Sequence, residues 1–443
     1  MNRITTLIIG TITALAIGAI ALWPTYVDHK VNVARAASLP TMAPVTADYL
    51  NRDRLIAFWE KAVDEKHPGD MISPRILAGQ YLQRYREHGD VGDVLRAIHA
   101  ANISLKNQSY GNISAEAELA GAYLELHRFR DSLAITRHME RENPIDPELR
   151  EREASLDLEL GRYGAANSII RKLPPPTNFD ISQSTLLTRW NELTGHLAKA
   201  REIFQRPQAL ENSAFDAPAQ SRAWFFFRAG ELAFEAGDND AAIADEKQAL
   251  VVFPNYADAL RSEARFECAT KRWEACLASA KASANVIPYP ETLGYEVDAD
   301  RALGDSLGAT QTDALIVTIE KIGNTQRISD RLLAIYYSEH RERSQDAYRI
   351  ARRELEARDD ILTEDTLAWA AAMDGRWNEA RIASAKAMRY HTENSLLLYH
   401  AGAIAEHFGD RTTAKADYQK ALALNSQFHA VYADDARAQL AKL

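Results

Sequence analysis

The stretch Leu398–Ala421, LYHAGAIAEHFGDRTTAKADYQKA, contains the pattern that decides the fold. Apolar and small residues recur at helical spacing on both sides of Gly409-Asp410, which interrupts them. Glycine accepts the positive φ angle that ends a helix. The stretch therefore predicts two helices joined by a short turn. The pattern is carried by Leu398, Ala401 and Gly402 in the first helix and by Ala414, Tyr418 and Ala421 in the second.

The same arrangement recurs at a fixed spacing along the chain. Gly375 lies 34 residues before Gly409, and Ala380 lies 34 residues before Ala414. Units of this length that recur in series indicate a helical repeat protein. Clearer copies are marked by Ala229, Gly230, Gly237, Ala242, Ala249 and Pro254, by Cys276 and Pro288, and by Ser132, Ala166 and Ala200. Less regular copies centre on Val94, Ala314 and Ala347.

Small residues and helix breakers at fixed places give each unit its shape. A small residue early in the second helix, such as Ala414, lets that helix approach Gly402 on the first. A unit of this size cannot bury its own apolar face, so we expect stacked units with one continuous core. Positive φ is predicted at the turn glycines Gly161, Gly195, Gly237, Gly375 and Gly409. Second helices are predicted to stop before Pro144, Pro254 and Pro288.

This pattern resembles the tetratricopeptide repeat (TPR) family, with clean or degenerate copies over about residues 74–430. The resemblance implies an all-α, TPR-type right-handed α-solenoid of about nine to ten helical hairpins. Extra residues at 201–222 and irregular sequence at 289–330 predict a kink or a loop. The expected organisation is an anchor or signal peptide at 1–28, a linker at 29–46, N-terminal capping helices at 47–73, the TPR array at 74–430 and a C-terminal capping helix at 431–443.

The N-terminus predicts passage into or across a membrane. No charged residue occurs from Ile4 to Val27, a run of 24 residues that is long enough to cross a bilayer as a helix. We expect a membrane segment at about residues 5–23, with a single pass in the inner (cytoplasmic) membrane and the array in the periplasm. The alternative is a secreted protein whose signal peptide is cleaved near Ala19-Ile20-Ala21.

The membrane segment also carries small residues at every fourth position. Gly10, Ala14 and Gly18 form a stripe that would allow two such helices to approach closely. A homodimer through this stripe is one interpretation. The other is that Gly and Ala are simply frequent in membrane helices.

Composition and motifs exclude several classes of function. The chain has 52 Lys+Arg and 62 Asp+Glu, a net charge of −10, which argues against nucleic acid as the main ligand. The repeats leave little room for a catalytic domain, and motifs of metalloproteases, serine hydrolases and phosphate-binding loops are missing from the sequence. His400 and His407 lie two helical turns apart, too far to share one metal ion. We therefore expect a protein that is not an enzyme and has no cofactor and no metal.

The two cysteines are placed to approach each other. In the repeat register, Cys268 lies late on a first helix and Cys276 lies early on its partner. An oxidising compartment would allow a disulfide between them. Alternatively, Cys276 replaces the small core alanine of the repeat as a small hydrophobic residue.

A protein or peptide partner is expected in the concave groove, which the TPR resemblance assigns to the first helices. The aromatic run from Trp224 to Phe227 exceeds what one core stripe needs, although all four rings could also pack in the core. Arg261 and Arg265 could meet a carboxylate or phosphate group, or form a solvated face. The predicted partner-binding residues are Trp224, Phe227, Glu231, Phe234, Arg261, Arg265, Tyr336, Trp369, Tyr399 and His400.

These features favour a membrane-tethered, extracytoplasmic TPR scaffold that binds a protein partner. One alternative is a structural subunit or coat of a larger envelope or extracellular assembly. A second is a hydrolase built on a superhelical hairpin fold, which would need paired carboxylates facing each other across the cavity.

Overall fold

The computed structural model describes residues 51–443 except 66, 68, 176–179, 215–216, 327–330 and 341–342. The predicted anchor at 1–28, its small-residue stripe (Gly10, Ala14, Gly18) and the linker at 29–46 lie outside the described residues. Among the helices that are described, none is both long and apolar enough to cross a bilayer.

All regular secondary structure in the described residues is helical, as the repeat pattern predicts. The helices are α1 (Arg52–Asp64), α2 (Ile72–His88), α3 (Val91–Asn107), α4 (Ile113–Glu125), α5 (Phe129–Glu142), α6 (Pro147–Glu159), α7 (Tyr163–Ile170), α8 (Ile181–Leu193), α9 (Leu197–Ser213), α10 (Ala219–Glu235), α11 (Asn239–Val252), α12 (Ala257–Ala269), α13 (Trp273–Val286), α14 (Pro290–Leu303), α15 (Ser306–Gln326), α16 (Arg331–His340), α17 (Ser344–Ala357), α18 (Ile361–Met373), α19 (Trp377–Ala387), α20 (Ser395–His407), α21 (Arg411–Leu424) and α22 (Tyr432–Leu440).

Successive helices pack against each other as hairpins. The pairs α2/α3, α4/α5, α6/α7, α12/α13, α14/α15, α16/α17, α18/α19 and α20/α21 are in contact. First helices of successive hairpins are also in contact. These contacts join α12 to α14, α14 to α16, α16 to α18 and α18 to α20. This arrangement of paired helices confirms the helical-hairpin part of the predicted fold.

The turns between paired helices follow the predicted chemistry. At Gly161, Gly195, Gly237, Gly375 and Gly409 the φ angles are 73, 75, 74, 75 and 77°. These values confirm the predicted positive φ. His127 and Lys271 take the equivalent place in α4/α5 and α12/α13, with φ of 56 and 59°. The second helices α5, α11 and α13 end at Glu142, Val252 and Val286, before the prolines that were expected to stop them.

The chain divides into two compact units, whereas the sequence predicted one continuous core. Unit 1 comprises 1–187, of which the described part begins at 51, together with Ile203–Phe225. Unit 2 comprises Thr188–Glu202 and Phe226–Leu443. In unit 1 a cluster that includes Leu82 and Val94 packs α1–α4, and in unit 2 a larger cluster extends from Leu293 to Ala436.

The two irregular segments are more helical than expected. Residues 290–326 form the hairpin α14/α15, with Pro290 in the first turn of α14 and Gly304 at its end. At 201–213 the extra residues lengthen α9, which contains Pro207. Most of the described residues in these stretches are therefore helical, because the extra residues continue the helical period, and the predicted kink or loop stays a prediction.

Candidate functional site

The predicted partner-binding residues lie mostly inside the fold. Nine of the ten side chains are buried, and Arg265 is part-buried. Each packs against other parts of the chain, as described below. Their role in binding a partner stays a prediction, and their positions show which chemistry they bring together.

Trp224 lies in unit 1 and belongs to an aromatic cluster. Its ring centroid is 4.8 Å from that of Phe225 and 6.1 Å from that of Phe204. Within the described residues, its buried indole Nε1 has no hydrogen-bond partner. The start of the aromatic run is therefore core packing, which was one of the two interpretations of this sequence.

The other nine residues belong to unit 2, on its first helices. We call the side chains that α10, α12, α14, α16, α18 and α20 direct toward neighbouring first helices the first-helix layer. Arg265 on α12 is a cation of this layer that contacts two carboxylates. Its Nη2 donates to Glu231 Oε2 at 2.9 Å and its Nη1 to Glu235 Oε1 at 3.3 Å, while its guanidinium lies 4.6 Å from the Phe234 ring centroid.

Burial and these contacts together shift the pKa values of the two α10 carboxylates in opposite directions. Burial acts to raise the pKa of Glu231, but the guanidinium groups of Arg265 and Arg261 outweigh it and hold this pKa below its ordinary value. Burial raises the pKa of Glu235 to about 7. One carboxylate of α10 is therefore held as an anion, and the other titrates near neutrality.

Arg261 is fully enclosed by the chain. Its Nη1 donates to Glu291 Oε2 at 2.7 Å, and its Nη2 lies 3.6 Å from Asp258. Its guanidinium also lies 5.9 Å from the ring centroids of Phe227 and Tyr289. The anion that was predicted to meet Arg261 is thus supplied, in this structure, by the chain itself.

A cluster of aromatic residues forms the other end of the first-helix layer. The rings of Trp369 and His400 stack with centroids 4.2 Å apart, and those of Tyr399 and Tyr432 stack at 4.6 Å. The Nε1 of Trp369 donates to the hydroxyl of Tyr432 at 3.1 Å. His400 Nδ1 lies 3.0 Å from Asp365 Oδ2.

Between these two ends, the predicted residue Tyr336 lies among titratable residues that sequence reasoning missed. The Tyr336 hydroxyl donates to Asp313 at 2.8 Å, and its ring lies 4.2 Å from that of His340. Burial acts to lower the pKa of His340, but its 2.8 Å contact with Asp298 outweighs it and raises this pKa to about 9. His340 is therefore protonated at neutral pH.

A second pair in the same region carries no charge at neutral pH. His429 Nε2 lies 3.7 Å from Glu339 Oε1. Burial lowers the pKa of His429 to about 4 and raises that of Glu339 to about 8. No sequence pattern singles out these residues, because His429 comes from the connection after α21 and reaches α16 only through the fold.

Late segments of unit 2 return to its early hairpin turns. The Thr392 hydroxyl donates to the Leu193 carbonyl at 2.6 Å, and the Glu393 carboxylate accepts from the Leu197 amide at 2.8 Å. The Asn394 amide donates to Glu235 at 2.8 Å. These bonds join residues 159 to 199 positions apart, and they lie outside what a 34-residue period can predict.

The structure joins Cys268 and Cys276 by a disulfide. Their Cα atoms are 5.2 Å apart, across the turn between α12 and α13. Cys276 is also fully buried among Ala264, Ala280 and Ala299. It therefore fills the small-residue place of the repeat and is bonded as well, so the two interpretations of this residue hold together.

One group in the described part of the chain brings three metal-ligand atoms within 4.8 Å of one another: Glu116, His138 and Glu142 in unit 1. His138 lies 2.8 Å from Glu116 and 3.9 Å from Glu142. The contacts of the His138 ring with these two carboxyl groups account for the arrangement without a metal ion.

No protein-family model matches the chain, and no curated protein matches it. Among solved structures it is similar to a tetratricopeptide repeat protein from Parabacteroides merdae, with 16% identity, 61% of this chain and 98% of that chain covered, and a TM-score of 0.42. It is also similar to yeast Tom70, with 12% identity, 93% of this chain and 96% of that chain covered, and a TM-score of 0.34.

Proposed function

We propose that the protein is a membrane-tethered, extracytoplasmic scaffold of the TPR type, which binds a protein partner through the first-helix layer of unit 2. The repeat pattern and the stacked hairpins support a binding module. The uncharged run from Ile4 to Val27 supports the tether and the export of the repeats.

The observation that carries the proposal is the concentration of ionisable and aromatic side chains in this layer and in the connection after α21 that touches it. Four of them keep part of their surface accessible: Glu235 (18%), Asp298 (35%), Glu339 (19%) and His429 (21%). Buried aromatic anchors beside partly exposed ionisable groups are typical of protein-binding hot spots. A partner segment would contact the accessible groups first.

Site-specific photo-crosslinking in native membranes tests the binding face. A photoreactive amino acid at Asp298 should capture one defined protein band. The matched control is Val251 on the second helix α11, which is 74% exposed and should capture nothing specific. Equal capture at the two positions, or capture at Val251 alone, would contradict the assignment of the face.

A separate experiment tests the tether. A reporter that is active only outside the cytoplasm, fused at Leu443, should be active and should stay with the membranes after alkaline extraction. A soluble active reporter would instead support the cleaved signal peptide, and an inactive one would contradict export.

A further inference from the structure

The C-terminal segment after α21 runs across the first-helix layer and touches several hairpins in turn. The Asn425 side-chain amide donates to the Phe234 carbonyl at 2.7 Å, and the Asn239 side-chain amide donates to Gln427 Oε1 at 3.0 Å. His429 then reaches α16, as described above. This short segment therefore spans α10, α11 and α16 before α22 begins.

Helix α22 continues this path over the aromatic end of the layer. Tyr432 stacks on Tyr399, accepts the hydrogen bond of Trp369 Nε1, and lies 4.3 Å from the ring of His429. Its side chain is 3% exposed. A single residue of α22 thus covers two of the predicted partner-binding side chains.

The carboxylates of α22 complete the contact. Asp435 accepts a hydrogen bond from the Tyr399 hydroxyl at 2.8 Å. Asp434 pairs with Lys271 in the α12/α13 turn, where both side chains are about half exposed. Tyr432 and Asp435 are three residues apart and so lie on one face of the helix.

Helix α22 is poorly suited to stand alone. It has 9 residues, and its N-cap residue Val431 makes no side-chain capping bond; its first amides, of Val431 and Tyr432, donate instead to His429 Nδ1 at 3.1 and 3.3 Å. Helices shorter than about 12 residues are marginal in water without tertiary contacts. Its helical form therefore depends on the surface that it covers, and a competing helix could replace it there.

We propose that α22 is an intramolecular occupant of the aromatic end of the first-helix layer. The partner segment of the scaffold would then be a short helix carrying a tyrosine followed three residues later by an acidic residue, which displaces α22. This inference rests on the proposed function, because it names the partner chemistry and the regulation of the same face.

The test uses the full chain in detergent and a fluorescent synthetic peptide of residues 426–443 as the probe. In the double variant Tyr432→Ala, Asp435→Asn, the chain's own helix should be loosened while the layer stays intact. We expect the peptide to bind this variant at least tenfold more tightly than it binds the unchanged chain. The matched control, Ala438→Ser on the exposed side of α22, should bind the peptide as weakly as the unchanged chain.

Three outcomes overturn the inference: the peptide fails to bind the loosened variant, it binds all chains equally, or a peptide carrying the same two substitutions binds as well. If the variant does not fold by circular dichroism, hydrogen exchange on the unchanged chain decides. Saturating peptide should then speed exchange of the α22 amides, and no change overturns the proposal. The assay needs no natural partner, so failed capture at Asp298 would contradict the proposed function and leave this result standing.

Discussion

Gly237, in the turn between α10 and α11, lies directly against the backbone carbonyl oxygen of Leu424 at the end of α21. A methyl group built on Gly237 would overlap that oxygen. Gly195 shows the same relationship, because a Cβ there would lie 2.5 Å from the carbonyl oxygen of His391. Two early hairpin turns of unit 2 therefore lie directly against backbone carbonyl groups from late segments of the same unit.

Gly237→Ala should destabilise unit 2 more than positive φ alone explains. A non-glycine residue in the left-handed region costs about 1 to 2 kcal/mol. At Gly237, where φ is 74°, the clash with Leu424 adds to that cost. We expect a total loss of at least about 3 kcal/mol in the free energy of unfolding, by analogy with overpacked sites. Urea denaturation followed by circular dichroism measures it.

Gly409→Ala is the matched control for that experiment. Its φ of 77° is almost the same, but a Cβ there meets nothing within 4 Å. The control should lose only the conformational cost. Equal losses of stability in the two variants would mean that the contact between Gly237 and Leu424 contributes nothing to the loss.

The sequence predicts the local parts of this fold well, because local chemistry dictates them. A turn that needs positive φ selects glycine, as at Gly375, and a second helix stops where Pro254 removes an amide donor. The contact of Gly237 with Leu424 could not be predicted in this way. The φ requirement alone already accounts for glycine, so the close approach leaves no further mark on the sequence.

The sequence predicts which helices carry the residues of the candidate site. It does not predict which side chains surround them. The repeat register correctly places Arg261, Trp369 and His400 on first helices. It does not show that Glu291 lies 2.7 Å from Arg261, or that Tyr432 covers Trp369. Those contacts depend on how each hairpin packs against the others, which the period of one hairpin does not contain.

Arg261→Met should be strongly destabilising, and a second substitution should rescue it. Removing one partner of a buried ion pair leaves the other charge unpaired and costs about 3 to 5 kcal/mol. Arg261 is 1% exposed and bonded to Glu291. The double variant Arg261→Met, Glu291→Gln should therefore be more stable than the single variant by at least about 1 kcal/mol. A double variant that is less stable would contradict the pairing.

Reduction of the disulfide should lower the stability of unit 2. Cys268 and Cys276 are 8 positions apart, and closing so short a loop is worth about 2 to 3 kcal/mol in the chain-entropy account. The melting temperature measured with reductant should therefore be lower than the one measured without it. The variant Cys268→Ala, Cys276→Ala keeps a small residue in the core and should not respond to reductant. Free thiols in mass spectra of the untreated protein would contradict the bond.

Glu118 in α4 should make unit 1 less stable as the pH rises. Burial raises its pKa to about 8, despite the opposing effect of Arg86 and Arg152, against an ordinary value of 4.5. The pKa of Glu118 is higher in the folded chain than in the unfolded chain. Its contribution to the stability of unit 1 is therefore fully present below pH 4.5 and is lost as the pH rises through 8. Glu118→Gln mimics the protonated group, so between pH 5 and 8.5 the variant should lose less stability than the unchanged chain, by at least about 1 kcal/mol. Denaturation midpoints at the two pH values measure this difference. Asp131→Asn, at a side chain of unit 1 that is 49% exposed, should leave the pH dependence unchanged. A slope for Glu118→Gln equal to that of the unchanged chain would refute the pKa shift.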